Sequence, residues 1–262
     1  ALNTLQKNIN ALYLIKVSKW FTLIMPIIVL FYEDNGLGLK EIFLLKSVYS
    51  IVSVSLDIPT GYLADAWGRK KCLLTGCLIA FGGFVTYSFS YTFGAFLLAE
   101  VLLGIGQSLV SGADSALLYD TMLHYNRESE YLKYEGKVTM AGNFSEAFAG
   151  IFGGLLAAAS LRLPFYFQTG IAFIGIPAAL ALKEFNAQVH IVNPVKNILH
   201  ILHYSLVENK SLRYDILFSG IIGASTLTMA WFVQPVLMSI ELPTSLFGIV
   251  WTVLNLVVGI AA

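Results

Sequence analysis

The sequence predicts an all-α membrane protein, a bundle of many spanning helices, and three observations support this fold class. Hydrophobic residues make up 57% of the 262 residues and charged residues only 12%, about half of the roughly 25% found in soluble domains. Eight long apolar runs follow one another along the chain. Each is near the roughly 20 residues that a helix needs to cross a bilayer, whereas barrel strands have about ten residues of alternating polarity.

Six of the predicted spans precede one long polar connection. They cover residues 11–32, 41–60, 72–90, 93–120, 137–160 and 164–182. A seventh span, 212–236, follows the connection, and an eighth begins near Thr244. The loops on one side of the bundle are very short, so we expect the protein to work inside the membrane rather than through an exposed domain.

Basic residues are unequally distributed between the two sides of this bundle. With the start of the chain placed in the cytoplasm, only Lys40 and Arg162 lie in outer loops. The cytoplasmic segments hold Lys7, Arg69, Lys70, Lys71, Arg127, Lys133, Lys137, Lys183, Lys196, Lys210 and Arg213. This asymmetry predicts a cytoplasmic N-terminus in a plasma membrane, with a bacterial inner membrane as the expected case. Since 16 basic and 16 acidic residues balance, no nucleic-acid partner is expected.

The long connection predicts a domain boundary. We expect a six-helix bundle at residues 1–183, a cytoplasmic linker at 184–211, and the first two helices of a second bundle at 212–262. Apolar residues in the linker are interleaved with polar ones, which predicts an amphipathic helix at the membrane interface. His190, His200 and His203 allow a second interpretation as a metal site, but the polar face of an interfacial helix accounts for them better, and we expect no metal.

One loop carries a specific motif. Between the second and third spans the chain reads GYLADAWGRKK over residues 61–71. This resembles the signature loop of the major facilitator superfamily, G-x-L-a-D-x-x-G-R-[KR]-[KR], and it lies at the expected cytoplasmic position. The resemblance implies a fold of twelve spans, of which eight are present, as an N-terminal half and the start of a C-terminal half. Because the chain begins without Met and stops inside an apolar run, we expect a fragment of a protein that is monomeric at full length.

The motif predicts a conformational latch formed by Gly61, Asp65, Gly68, Arg69 and Asp120, which we call the latch residues. Gly61 would allow close helix approach, and Gly68 a tight turn with positive φ. Asp65 is placed to pair with Arg69, and Asp120 ends the fourth span. The resemblance implies that these charges hold the two halves together in the outward-open state and separate in the inward-open state. The alternative is a solvated basic loop that obeys the positive-inside rule.

Polar residues inside the spans are the candidates for a solute-binding cavity, because charges at membrane depth are costly. Glu100, Gln107, Ser111 and Asp114 are spaced so that one face of a continuous helix would carry all four. Lys19 on the first span could pair with Glu100 across the cavity, whereas Lys16 is expected to extend to the interface. The family often has an Arg in the fourth span, in the pattern R-x-x-x-G, and Glu100 stands at that position here.

The fifth span is rich in glycine and carries one acid. Gly142, Gly150, Gly153 and Gly154 predict close helix packing. This segment resembles the antiporter glycine motif of the family, G-P-x-x-G-G, but Ile151 replaces the proline and the final glycine pair comes one residue early. Glu146 is a candidate for proton coupling, as is Glu100; the alternative for Glu146 is a structural, hydrogen-bonded acid.

These patterns together predict a secondary active transporter that moves a small solute by alternating access. Proton-coupled efflux of amphipathic compounds is the first expectation. Proton-linked uptake or facilitated diffusion of a nutrient is an alternative, and a non-transporting membrane sensor is another. We expect no enzymatic activity and no cofactor, because the sequence contains no nucleotide-binding loop or catalytic motif. The partners expected are the small-molecule substrate, protons and the lipid bilayer.

Overall fold

The computed structural model describes residues 2–185 and 203–261, and the regular structure in these ranges is helical. It contains ten α-helices: α1 Leu2–Trp20, α2 Ile28–Asp34, α3 Leu39–Trp67, α4 Arg69–Phe89, α5 Phe93–Val110, α6 Ala113–His124, α7 Tyr131–Ala159, α8 Leu163–Ala181, α9 Lys210–Ser239 and α10 Thr244–Ala261. Short 3₁₀ turns cover Met25–Ile27 and Glu128–Glu130, and a π-helical turn covers Tyr204–Glu208. The predicted all-α fold is confirmed.

Five helical segments within the described residues are long and apolar enough to cross a membrane: Thr4–Asp34, Leu39–Trp67, Arg69–Phe89, Phe93–His124 and Leu163–Ala181. Their bounds lie close to the predicted spans. Helix α7 has 29 residues and is therefore long enough to cross a membrane. The polar residues Asn143, Ser145 and Glu146 lower its mean hydropathy. Most of the predicted interfacial helix, with His190 and His200, lies outside the described residues. His203 is exposed and lies 3.4 Å from Glu208.

The described residues of 1–188 and 243–262 form one compact unit, and those of 189–242 form another. In the first unit, α4 packs on α5 and α8, α3 packs on α5, and α1 packs on α7 and α8. Small residues allow the closest of these contacts: a Cβ atom at Gly76 would lie 2.7 Å from Val110. Helix α10 packs on α7. The second unit is built around α9, whose first turn is capped by the Asn209 side chain.

The first span is broken between Trp20 and Ile28. The break is held from two sides, by α8 and by α7. Gln168 of α8, fully buried, accepts a hydrogen bond from the Leu23 N–H at 2.8 Å. On α7, a Cβ atom at Gly153 would lie 2.0 Å from the Leu23 carbonyl oxygen. Irregular backbone at membrane depth is tolerated where protein surrounds it and bonds its polar groups.

The fourth span is also broken, which corrects the continuous helix predicted for residues 93–120. Helix α5 ends at Val110, and Gly112 has a φ of +78°, a conformation that glycine adopts without steric cost. Helix α6 then begins at Ala113. Glu100 and Asp114 are therefore on different helices, and the predicted polar stripe on one continuous helix face is wrong.

Candidate functional site

Arg69 is the centre of the charges that the motif predicted. It is the first residue of α4 and bonds three groups at once. Its Nη2 lies 3.3 Å from Asp65 Oδ1, one turn earlier on α3, and it forms an ion pair with Asp120 of α6. Its Nη1 also donates to the Ala116 carbonyl oxygen at 2.6 Å. The structure thus brings together Asp65, Arg69 and Asp120, which we call the latch charges.

The two glycines of the signature loop have different surroundings. Gly68 has a φ of +114° between α3 and α4, the positive φ that was predicted. Gly61 is exposed, and a Cβ atom there would meet no described atom within 4 Å. The close helix approach expected at Gly61 is therefore not made within the described residues, because this side of α3 faces away from the bundle.

Glu184 is a member of this region that the sequence did not reveal. A Cβ atom at Gly68 would lie 2.8 Å from Glu184 Oε1, so the carboxylate lies directly over the glycine. Glu184 follows the end of α8 by a few residues and brings a third acid to the neighbourhood of Arg69. Its only sequence signal is an acid just after a span, which many loops share.

The residues from the end of α8 to Phe185, which include Glu184, contact α1, α4 and α6 through hydrogen bonds and one ring stack. Asn8, fully buried on α1, donates to the Lys183 carbonyl oxygen and accepts from the Lys183 N–H, both at 2.8 Å. Its amide also donates to Thr121 Oγ1 at 3.0 Å. Lys70 donates to the Leu180 carbonyl oxygen at 2.8 Å. The ring of Phe185 stacks on His124, with centroids 4.1 Å apart.

A small cleft lies between α1, α6 and α7, lined by Leu12, Lys16, Asp114, Ser115, Leu118, Glu135 and Val138. Lys16 Nζ lies 3.3 Å from Asp114 Oδ2 across it. Asp114 Oδ1 accepts from the Ser115 N–H at 2.8 Å, and Glu135 accepts from the Ser115 hydroxyl at 2.7 Å. The expectation that Lys16 extends to the interface is wrong, because the break at Gly112 places an acid beside it.

Lys19 lies one turn beyond Lys16 on α1 and is partly buried. Asp114 and Asp57 lie within electrostatic range of its ammonium group. Among the described residues, however, none forms a hydrogen bond or an ion pair with it. The expected pair between Lys19 and Glu100 does not form, since Glu100 is bonded elsewhere.

Glu100 lies in a sealed polar cluster, the Glu100 cluster, with Tyr32, Lys46 and Tyr87. The carboxylate is 1% exposed and forms an ion pair with Lys46 of α3. It accepts from the Tyr32 and Tyr87 hydroxyls at 2.8 and 2.6 Å. Aromatic rings close the surroundings: Phe31, Phe96 and Phe165. Sequence reasoning missed Lys46 as a partner, although a lysine inside a predicted span is itself a signal.

The two remaining candidates lie elsewhere. Gln107 is half-buried on α5, one turn before that helix ends, and its carbonyl oxygen accepts from the Ser111 N–H. Glu146 is half-buried on α7 and interacts with the Trp251 indole of α10. At the same contact Thr252 donates to the Ala147 carbonyl oxygen at 2.7 Å. A Cβ atom at Gly248 would lie 2.0 Å from the Gly150 carbonyl oxygen, so the two helices touch backbone to backbone.

Comparison with known proteins gives consistent results at the levels of family and fold. The family model described as Major Facilitator Superfamily matches residues 20–262. The quinolone resistance protein NorA of Staphylococcus aureus is 21% identical over 160 residues, which are 61% of this chain and 40% of that protein. An uncharacterized MFS-type transporter of Methanocaldococcus jannaschii is 24% identical over 158 residues, which are 60% of this chain and 39% of that protein.

A solved structure shares the fold. The nucleoside transporter NupG, as its D323A mutant, superposes with a TM-score of 0.76 at 16% identity, over 90% of this chain and 59% of that one. The matched part of the chain corresponds to about two-fifths of the length of the curated relatives. These matches show the family and the fold of the helical bundle.

Proposed function

The chain belongs to the major facilitator superfamily, and from this premise we propose that it forms part of a secondary active transporter that moves a small solute by alternating access. The observation that carries the proposal is the set of latch charges, Asp65, Arg69 and Asp120, joined at one end of an integral membrane bundle. A protein that never alternates between two states has no use for an ion-pair cluster of this kind.

The chemistry of Arg69 supports a switching role. A cation at the first residue of a helix meets the positive end of the helix dipole, which is unfavourable. Asp65, Asp120 and the Ala116 carbonyl oxygen offset this cost in the state described here. Buried ion pairs contribute little net stability, because desolvation cancels much of their attraction. Such a cluster can therefore break and reform within a transport cycle at modest cost.

We further propose the membrane placement that the sequence predicted. Residues 1–183 form the first bundle, 184–211 a cytoplasmic linker and 212–262 the start of a second bundle. The N-terminus is cytoplasmic, in a bacterial inner membrane. In this orientation the latch charges lie at the cytoplasmic end and the Glu100 cluster towards the outer end. The cleft between α1, α6 and α7 lies between them, at the depth where family members of this architecture bind solutes.

Proton-coupled efflux of amphipathic compounds remains the first proposal for the transport mode. The likeness to a quinolone resistance protein supports it. Glu146 is the preferred coupling acid, because its carboxyl lies at the contact between α7 and α10, where a helix movement would change its surroundings. Glu100 is the weaker candidate, because all its neighbours already bond its carboxylate.

The test is flux in proteoliposomes. We expect the reconstituted protein to move an amphipathic dye when a pH gradient is imposed, and Asp120→Asn to lose this flux while it still inserts and folds. Glu128→Gln, an exposed acid in the loop between α6 and α7, is the matched control and should keep the parental rate. Unchanged flux in Asp120→Asn contradicts the latch. Dye binding by the parent without any flux would favour the sensor alternative.

A further inference from the structure

The small cleft between α1, α6 and α7 has room for about one water molecule, which is too little for a solute. A site of this size holds a water molecule when it also offers about two to four polar partners. Four of the side chains that line the cleft are polar: Lys16, Asp114, Ser115 and Glu135. The other lining residues are apolar. The size and the lining of the cleft both fit a single bound water molecule.

Two carboxylates at this cleft are joined through one serine. Glu135 Oε1 accepts from the Ser115 hydroxyl at 2.7 Å, and Asp114 Oδ1 accepts from the Ser115 N–H at 2.8 Å. The second oxygen of Asp114 lies 3.3 Å from Lys16 Nζ. A serine hydroxyl has a single hydrogen atom to donate, and here Glu135 receives it. A proton that passes between the two acids therefore needs another carrier, and the cleft that both acids line is the place for it.

The two acids lie at different depths in the bundle. Glu135 is partly exposed and stands near the start of α7, at the end of the bundle that carries the latch charges. Asp114 is 8% exposed and precedes Asp120 by six residues on α6. That separation is about 9 Å along the helix axis. The cleft therefore lies between a carboxylate that solvent reaches and one in the interior.

Helix α7 connects this cleft with the proposed coupling acid. Residues 135, 142 and 146 lie within about 40° of one another on one face of the helix. A Cβ atom at Gly142 would lie 3.4 Å from Lys16 Cγ, and Glu146 follows Gly142 by one turn. The Lys16–Asp114 pair is thus placed along α7 between Glu135 and Glu146.

Few other titratable groups act on the two acids of the cleft. Lys19 on α1 lies within electrostatic range of Asp114. Tyr131 on α7 lies within range of both acids and of the Ser115 side chain. Arg69 of α4 bonds Asp120 and the Ala116 carbonyl oxygen instead. The charge that responds most directly to a proton on Asp114 is therefore its ion-pair partner, Lys16.

We propose that the cleft binds one water molecule and that this molecule carries protons between Glu135 and Asp114. The inference rests on the proposed proton-coupled transport and gives the route by which protons enter or leave the bundle at its latch end. In the inward step the Glu135 carboxylic acid gives its proton to the water oxygen, and the water gives one of its own protons to Asp114. The water is regenerated, Glu135 becomes a carboxylate, and the neutral Asp114 no longer forms an ion pair with Lys16.

The first measurement detects the water molecule. Brief X-ray exposure of the purified protein turns bound water into hydroxyl radicals, which label the side chains beside it. We expect label on Leu118 and Val138, which line the cleft although they are only 1% and 4% exposed. Leu117 and Val110 are about as buried but do not line the cleft, so they are the matched controls and should stay unlabelled. Labelling of Leu118 and Val138 that does not exceed the controls would overturn the water site.

The second measurement follows proton transfer without any substrate. Infrared spectroscopy after a rapid acidification records the carboxylic-acid band of Asp114, which is assigned by its loss in Asp114→Asn. We expect Glu135→Gln to slow the appearance of this band about tenfold or more. Glutamine still accepts from the Ser115 hydroxyl but cannot exchange a proton. Glu135→Asp should keep most of the parental rate.

Glu128→Gln, an exposed acid just before α7, is the control and should show the parental rate. An Asp114 band that never appears in the parent, or a parental rate in Glu135→Gln, would overturn the proton path. Equally slow Glu135→Asp and Glu135→Gln variants would give Glu135 a structural role and overturn it as well. Dye flux and its dependence on Asp120 judge the transport proposal separately. Flux together with a parental infrared rate in Glu135→Gln refutes this inference alone, and a slowed rate without any flux in the parent refutes transport alone.

Discussion

The side chain of Asn8 forms a closed pair of hydrogen bonds with the backbone of Lys183, 175 positions later in the chain. These bonds join the start of α1 directly to the residues that follow α8. The next residue, Glu184, lies over Gly68. The start of α4 and the residues at and after the end of α8 are thus in direct contact.

Asn8→Ala should destabilise the protein by about 2–4 kcal/mol. The substitution leaves the Lys183 N–H and carbonyl groups without their buried partner, and each such loss costs about 1–3 kcal/mol. The free energy of unfolding in detergent, measured by chemical denaturation, tests this. Asn10→Ala on the same helix is the control, since Asn10 is exposed and its side chain bonds only Gln6 among the described residues. Equal effects of the two substitutions would contradict the role of Asn8.

The two signature glycines should respond oppositely to alanine. Gly68→Ala imposes a positive φ on a residue with a Cβ atom, which costs about 1–3 kcal/mol, and it pushes that Cβ against Glu184. Gly61→Ala lies in open space inside a helix and should be neutral or stabilising, by up to about 1 kcal/mol. Thermal unfolding of both variants gives the comparison. A destabilised Gly61→Ala would show that this glycine makes contacts beyond those described here.

Lys46→Met should destabilise the bundle by about 3–5 kcal/mol, because it leaves the Glu100 carboxylate buried without its cation. The double variant Lys46→Met/Glu100→Met should recover most of this loss, since a well-packed apolar pair replaces the ion pair at little cost. The free energies of unfolding of the parent, the two single variants and the double variant, measured by chemical denaturation, form a double-mutant cycle. Lys40→Met, on the same helix but exposed, serves as the control. Additive effects of the two single substitutions would argue against a coupled pair.

Glu146→Gln should separate transport from the proton gradient. The variant cannot exchange a proton at residue 146, so its dye flux should stay the same when an ionophore collapses the pH gradient. The parent should slow under the same treatment, and Glu128→Gln should slow with it. The measurement is dye flux in proteoliposomes with and without the ionophore. A Glu146→Gln variant that responds as the parent does would exclude Glu146 as the coupling acid.

The sequence predicted the spans well because each needs a long apolar run, and hydropathy reports that property directly. The charge cluster around Arg69 was also predictable, since its motif is short and local. The pair between Lys46 and Glu100 was not predictable, because the two residues are 54 positions apart on different helices. No nearby sequence pattern indicates which residue pairs with which. The break at Gly112 had a weak signal in Ser111-Gly112, which the apolar run on both sides obscured.

The close approach of Gly153 to the Leu23 carbonyl oxygen has a consequence for how this chain diverges over evolutionary time. A substitution at residue 153 is acceptable only when the first span straightens or moves, and a straight first span leaves Gln168 without its bond to Leu23. Positions 23–28, 153 and 168 should therefore change together among descendants of a common ancestor. A lineage that acquires a larger residue at 153 is expected to have lost the bend, and with it the glutamine.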